Sequence, residues 1–95
     1  MDEGRIEQRL KREIKKRGGK TLKFTSPGWA GAPDRLVLLP GARIIFVELK
    51  APRKKLEPLQ AKRADELRAL DFPVYKIDSE LAIESFIAEV FHREV

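Results

Sequence analysis

Asp34, Glu48 and Lys50 are the residues on which chemistry can be built. Asp34 follows Pro33 at the head of one apolar run, and Glu48-Leu49-Lys50 closes a second. Side chains alternate between the faces of a strand, so Ile44, Phe46, Glu48 and Lys50 share one face and Ile45, Val47 and Leu49 the other. If the two runs close through a three-residue loop, Pro40 to Ala42, then Leu39 pairs with Arg43 and Asp34 falls opposite Glu48. A two-residue loop would slip the register by one and turn Asp34 away, so the three-residue closure is an expectation. Two adjacent carboxylates repel, and a buried one is driven toward its protonated form. A divalent cation relieves both problems, and oxygen-only ligands suit Mg²⁺ or Mn²⁺ better than zinc. Such an ion can bind a phosphate oxygen and activate water. Lys50 would hold the attacking water or the developing negative charge. An E-x-K at a strand end is often only a surface ion pair. The Asp34 partner is what points to metal-dependent hydrolysis of a phosphodiester.

Two further residues bear on that site. Gln60 lies on the apolar stripe of a helix, where a glutamine needs hydrogen-bond partners that Lys50 or a nearby water would supply. It could equally sit at the stripe's edge with a solvated tip. Glu7 borders the stripe of the first helix and could reach the metal as a third carboxylate, in competition with Glu3 and Glu13. A solvated face of Glu-Arg pairs accounts for it equally well.

The elements that must position these residues follow from periodicity. Ile6, Leu10 and Ile14 recur every fourth residue and predict a helix over 3–17, stopped by Gly18-Gly19. A short strand is expected over 21–25. Residues 26–33 are a loop of turn formers. Strands are expected over 35–39 and 43–50. Pro58 suits the first position of a helix running to about Leu70, with a buried stripe of Leu59, Gln60, Ala64, Leu67 and Leu70. Residues 73–77 read as a strand. Asp78 or Ser79 caps a last helix carrying Leu81, Ile83, Phe86, Ile87 and Val90. The order α-β-β-β-α-β-α describes one α/β domain over 1–95 with a central mixed sheet flanked by helices, the last two strands joined by a parallel crossover.

Composition agrees with a polyanionic partner. The 95 residues carry 20 Lys and Arg against 15 Asp and Glu, a formal charge of +5. With no cysteine and one histidine, His92, thiolate sites, disulfides and histidine clusters are excluded. No run is long enough for a membrane span, and no signal peptide is visible, so a cytoplasmic protein is expected.

The run Ser26-Pro-Gly-Trp-Ala-Gly-Ala-Pro-Asp-Arg-Leu-Val-Leu-Leu-Pro-Gly, then Phe46-Val-Glu-Leu-Lys-Ala-Pro, then Leu56-Glu-Pro-Leu-Gln60, closely resembles the VRR-NUC domain family of the PD-(D/E)XK nuclease superfamily. Val74-Tyr-Lys-Ile-Asp-Ser79 also fits, and the match spans nearly the whole chain. The resemblance implies a restriction-endonuclease-like core and Mg²⁺- or Mn²⁺-dependent DNA cleavage. It makes Asp34 and Glu48 metal ligands, with the Leu49 carbonyl a further one. Lys50 becomes the catalytic lysine, Gln60 its supporting glutamine and Glu7 the acid of the first helix. Standalone members from phages and bacteria are of similar size and look like dimeric nucleases of four-way (Holliday) junctions. A homodimer in a bacterial or phage-infected host cell is therefore expected. Flap, fork or less selective cleavage, and a non-catalytic DNA-binding module, are the alternatives.

DNA would be held by two basic groups. Arg9, Arg12, Lys16, Lys20 and Lys23 represent the first, and Arg53, Lys54 and Lys55 the second, with Lys62 and Arg63 beside it. Trp29 could stack on an unpaired base or fill a hydrophobic gap. The apolar last helix, through Phe86, Ile87, Val90 and Phe91, hints at a dimer contact.

Overall fold

The structure is a computed structural model and describes residues 2–91; His92 lies outside them. Helix α1 spans Glu3–Lys16, with Asp2 accepting the Arg5 amide at its N-cap. Its end is a Schellman turn: the Gly19 amide donates to the Ile14 carbonyl and the Gly18 amide to Lys15. Gly18 has φ +84°, the left-handed geometry that favours glycine. Strand β1 (Lys20–Lys23) follows, then β2 (Arg35–Leu39), β3 (Arg43–Leu49), helix α2 (Pro58–Ala69), strand β4 (Val74–Ile77) and helix α3 (Glu80–Phe91). Ser79 caps α3 by accepting the Ala82 amide. The expected element order is the one observed.

The four strands form one sheet in the order β1-β2-β3-β4. The first two pairings are antiparallel, and β3 pairs with β4 in parallel through the α2 crossover. Leu39 pairs with Arg43, the register of the three-residue closure. That loop accommodates positive φ at Gly41 and Ala42. Strand β1 lies one or two residues earlier than its composition suggests. Its ladder runs from Lys20 opposite Leu38 to Lys23 opposite Arg35, where β2 begins.

Each face of the sheet has its own core. Ile6, Leu10, Ile14, Val37, Ile45, Val47, Ile83 and Phe86 pack α1 and α3 against one face. Phe46, Ala64, Leu67 and Val74 pack α2 against the other, with Phe24, Trp29, Leu36 and Phe72 at its border. Two expectations about burial fail. Of the α2 stripe, Ala64 and Leu67 are buried while Leu59 and Leu70 are exposed. In α3, Phe86 and Val90 are buried and Ile87 and Phe91 pack on the core, while Leu81 is exposed. The residues offered as a dimer contact are thus used within the fold.

Candidate active site

Glu48 occupies the end of the β3 face that Phe46 begins, and it is only 7% exposed. Asp34 stands one residue before β2, and continuing the Arg35–Val47 register places it opposite Glu48. Two backbone contacts fix it. The Phe24 amide donates to the Asp34 carbonyl at 2.9 Å, so β1 holds its main chain. The Leu49 amide donates to Asp34 Oδ1 at 3.1 Å. The reason is alternation along β3: the Phe46 and Lys50 amides are spent on the β4 side, on Pro73 and Ile77. The Leu49 amide therefore faces β2, which has ended, and the Asp34 carboxylate replaces the missing strand partner.

Burial and mutual repulsion set the electrostatics. Loss of water raises the Glu48 carboxyl to about 7, and the charge of Asp34 adds to the rise while Lys50 opposes it. Asp34 is also raised by burial, with the Leu49 amide and Lys50 acting against the shift. Glu3, in the first turn of α1, raises both. Lys50 is half-buried immediately after β3, on the side of the sheet that Glu48 faces. Gln60 reaches the pair from the first turn of α2. Its Nε2 donates to Glu48 Oε2 at 3.1 Å, and its Oε1 accepts the Glu57 amide at 2.8 Å. Its partner is thus the carboxylate rather than Lys50.

Glu7 is placed differently. Its carboxylate pairs with the Arg35 guanidinium, which lies on the α1 side of the sheet with its Nε lacking a partner. Sequence spacing could not reveal this, because the partner is 28 positions away on another element. Among the described residues no three acidic or histidine side chains form a ready cluster for one ion. The donors brought together are the two carboxylates of Asp34 and Glu48, next to the Leu49 backbone. Such a pair fits Mg²⁺ or Mn²⁺, since Mg²⁺ keeps several waters and takes only one or two carboxylates plus substrate phosphate. The raised carboxyls are the observation that favours a cation there.

The loop that delivers Asp34 is fastened to α2. Arg63 Nε donates to the Ala30 carbonyl at 2.8 Å, and its guanidinium lies 5.3 Å from the Trp29 ring centroid. Gly31 has φ +86°, and a Cβ there would stand 2.7 Å from Leu59 Cγ. Trp29 is half-buried and packs against the α2-side core. Sequence reading placed Arg63 only among basic residues and missed its structural part.

The basic residues divide by partnership. Arg9 pairs with Glu13, Glu80 and Glu84, and Lys16 with Glu13, which ties both into the contact of α1 with acidic neighbours. Among the described residues Arg12, Lys20, Lys23, Arg53, Lys54 and Lys55 form no ion pair. No described helix is long and apolar enough to cross a membrane.

Comparison with known proteins bears on this geometry. No family model matches the chain. Over 78 residues it is 49% identical to "Putative nuclease p44" of Acyrthosiphon pisum secondary endosymbiont phage 1, covering 82% of this chain and 84% of that protein. A solved structure described as a VRR_NUC domain superposes with a TM-score of 0.82 at 29% identity, covering 98% of this chain and 97% of the other.

Proposed function

The chain belongs to the VRR-NUC family, and from that premise we propose that it is a metal-dependent endonuclease that hydrolyses DNA phosphodiesters at branched, four-way junctions. The observation that carries the chemistry is the facing pair Asp34 and Glu48, buried enough to raise both carboxyls, with Lys50 and Gln60 on the same side. Asp34 and Glu48 would hold Mg²⁺ or Mn²⁺, with the Leu49 carbonyl as a further donor. When bound, the ion supplies Lewis-acid polarisation of the phosphate and a more acidic water. The Leu49 amide and the Phe24 amide keep Asp34 turned toward Glu48. Gln60 fixes one oxygen of Glu48. The Lys50 ammonium orients the attacking water and offsets charge that develops on the phosphate oxygens. Junction preference and a two-fold dimer follow the resemblance of the motifs to standalone members of the family. Two sites related by a two-fold axis would nick a junction symmetrically.

The test is cleavage of a labelled four-way junction beside duplex, flap and single-stranded controls, with Mg²⁺, with Mn²⁺ and with chelator. Paired symmetric nicks lost with chelator are the expected result. Cutting of flaps or plain duplex instead would discard the junction preference and keep the nuclease. Binding without any cutting would leave only a DNA-binding module.

A further inference from the structure

The flank of α1 that follows its buried stripe changes character along its length. Glu3, Glu7, Lys11 and Lys15 recur every fourth residue, so they lie in one row beside Ile6, Leu10 and Ile14. The row is acidic toward the catalytic end of the sheet and basic at the other end. Glu7 sits at Arg35, whereas Ile14 and Leu39 both meet at Gly19, so α1 runs in the same direction as β2. Lys11 and Lys15 join Gly19, Lys20 and Thr21 around one cleft between α1 and β1. None of the three lysines forms an ion pair among the described residues. Thr21 also carries a buried hydroxyl with no partner. The opposite flank behaves otherwise: Arg9, Glu13 and Arg17 close on one another, and Arg9 reaches Glu80 and Glu84.

Three exposed ammonium groups gathered around one cleft without a carboxylate favour a polyanion there. Lysines on an edge strand also discourage pairing with other sheets, and β1 is such an edge. That role covers Lys20 and Lys23 but not Lys11 and Lys15, which are on the helix. Lys23 stands opposite Arg35 and thus beside Asp34, while Lys20 lies three residues farther, roughly 10 Å by strand rise. Duplex DNA advances about 3.4 Å per phosphate along one strand. The cleft is therefore about three phosphates beyond the catalytic end.

We propose that Lys11, Lys15 and Lys20 form a second phosphate anchor, which Lys23 links to the catalytic pair, and that one duplex arm of the substrate lies along the β1 edge. The inference rests on the nuclease reading above. The anchor grips backbone and not bases, so it fixes the direction of the arm without selecting its sequence. Glu7 does not repel that arm because Arg35 takes its charge.

The experiment is salt-dependent binding of a four-way junction without divalent ions, by wild type and by the combined Lys11→Gln, Lys15→Gln, Lys20→Gln variant. Each lost phosphate contact lowers the slope of log K against log salt by about 0.9, so the triple variant should lose about 2 to 3 units. The side chains are exposed, and an unchanged melting temperature would confirm the fold. A control that removes two ion-paired cations, Arg17→Gln with Arg68→Gln, should keep the slope within one unit. A junction with one arm cut to about two base pairs beyond the scissile phosphate should erase the difference between wild type and triple variant. Equal slopes for wild type and triple variant on the full junction overturn the anchor while leaving cleavage by the wild type to support the nuclease. Equal losses in the triple variant and the control reduce the effect to net charge and overturn it too. A wild type that neither binds nor cuts DNA removes both the anchor and the reading beneath it.

Discussion

Gln60 bridges helix α2 and strand β3: its Nε2 donates to Glu48 Oε2 at 3.1 Å while its Oε1 accepts the Glu57 amide at 2.8 Å. One side chain thus serves a helix N-terminus and a carboxylate of the site. Gln60→Ala should cost about 1 kcal/mol of stability through the lost helix contact. It should also lower cleavage by about 10-fold or more, because outer partners orient ligands. Urea denaturation and single-turnover cleavage measure the two effects separately. Full cleavage by a destabilised variant would confine Gln60 to the helix.

The titration of Glu48 gives stability a pH dependence of definite sign. Its carboxyl titrates near 7 in the folded protein against an ordinary 4.5, so the folded state binds this proton more tightly than the unfolded one. The resulting stability is complete below about pH 4.5 and is lost as pH rises through about 7. Without divalent ions, wild type should lose on the order of 3 kcal/mol over that window relative to Glu48→Gln. Mn²⁺ should restore it in wild type alone, since binding requires the deprotonated ligand. Identical pH profiles for the two proteins would mean that Glu48 is not held in the folded state as described.

Glu7 is the site residue for which resemblance and structure pull apart. Resemblance makes it the acid of the first helix, yet Arg35 takes its charge on the α1 side of the sheet. Both partners are half-buried, so Glu7→Gln should lower the melting temperature, and Arg35→Met combined with it should be milder than the sum of the two. Mn²⁺ affinity of the folded Glu7→Gln protein should stay within about 3-fold of wild type, against the 10- to 100-fold loss typical of groups that support a metal site. A tenfold loss of affinity at unchanged melting temperature would make Glu7 a ligand after all.

What the sequence made legible was local or periodic. The α1 stripe, the Gly18-Gly19 stop and the Ser79 cap depend on neighbours within a few residues, and all appear as read. The Asp34–Glu48 pairing was legible once a loop length was assumed, because strand register then counts itself out. The failures share another cause. Leu59 looked like core, but its place is against Gly31 in the loop before Asp34. Arg9 reads among the cations facing DNA, and its partners Glu80 and Glu84, more than 70 positions away, cannot be read beside it. Arg63 reads with the basic connector, and the structure adds its hold on Ala30 and Trp29. Charge alone does not say whether a cation faces solvent or a distant acid.

Lys50 follows Glu48 by two residues and shares its face, and its positive charge opposes the rise of both carboxyls. Lys50→Ala removes a group that acts on the developing negative charge, and such losses cost about 10²- to 10³-fold in rate. It also removes one positive charge beside the pair, so the Glu48 carboxyl should titrate higher than in wild type. DNA binding without divalent ions should change little, because the proposed phosphate contacts lie on α1, β1 and the 53–55 connector. The measurement is single-turnover cleavage at saturating junction, paired with a binding isotherm for each protein. Loss of cleavage with binding intact assigns Lys50 to the chemistry. Loss of both in proportion would reduce it to one more phosphate contact, and the catalytic arrangement would then rest on the two carboxylates alone.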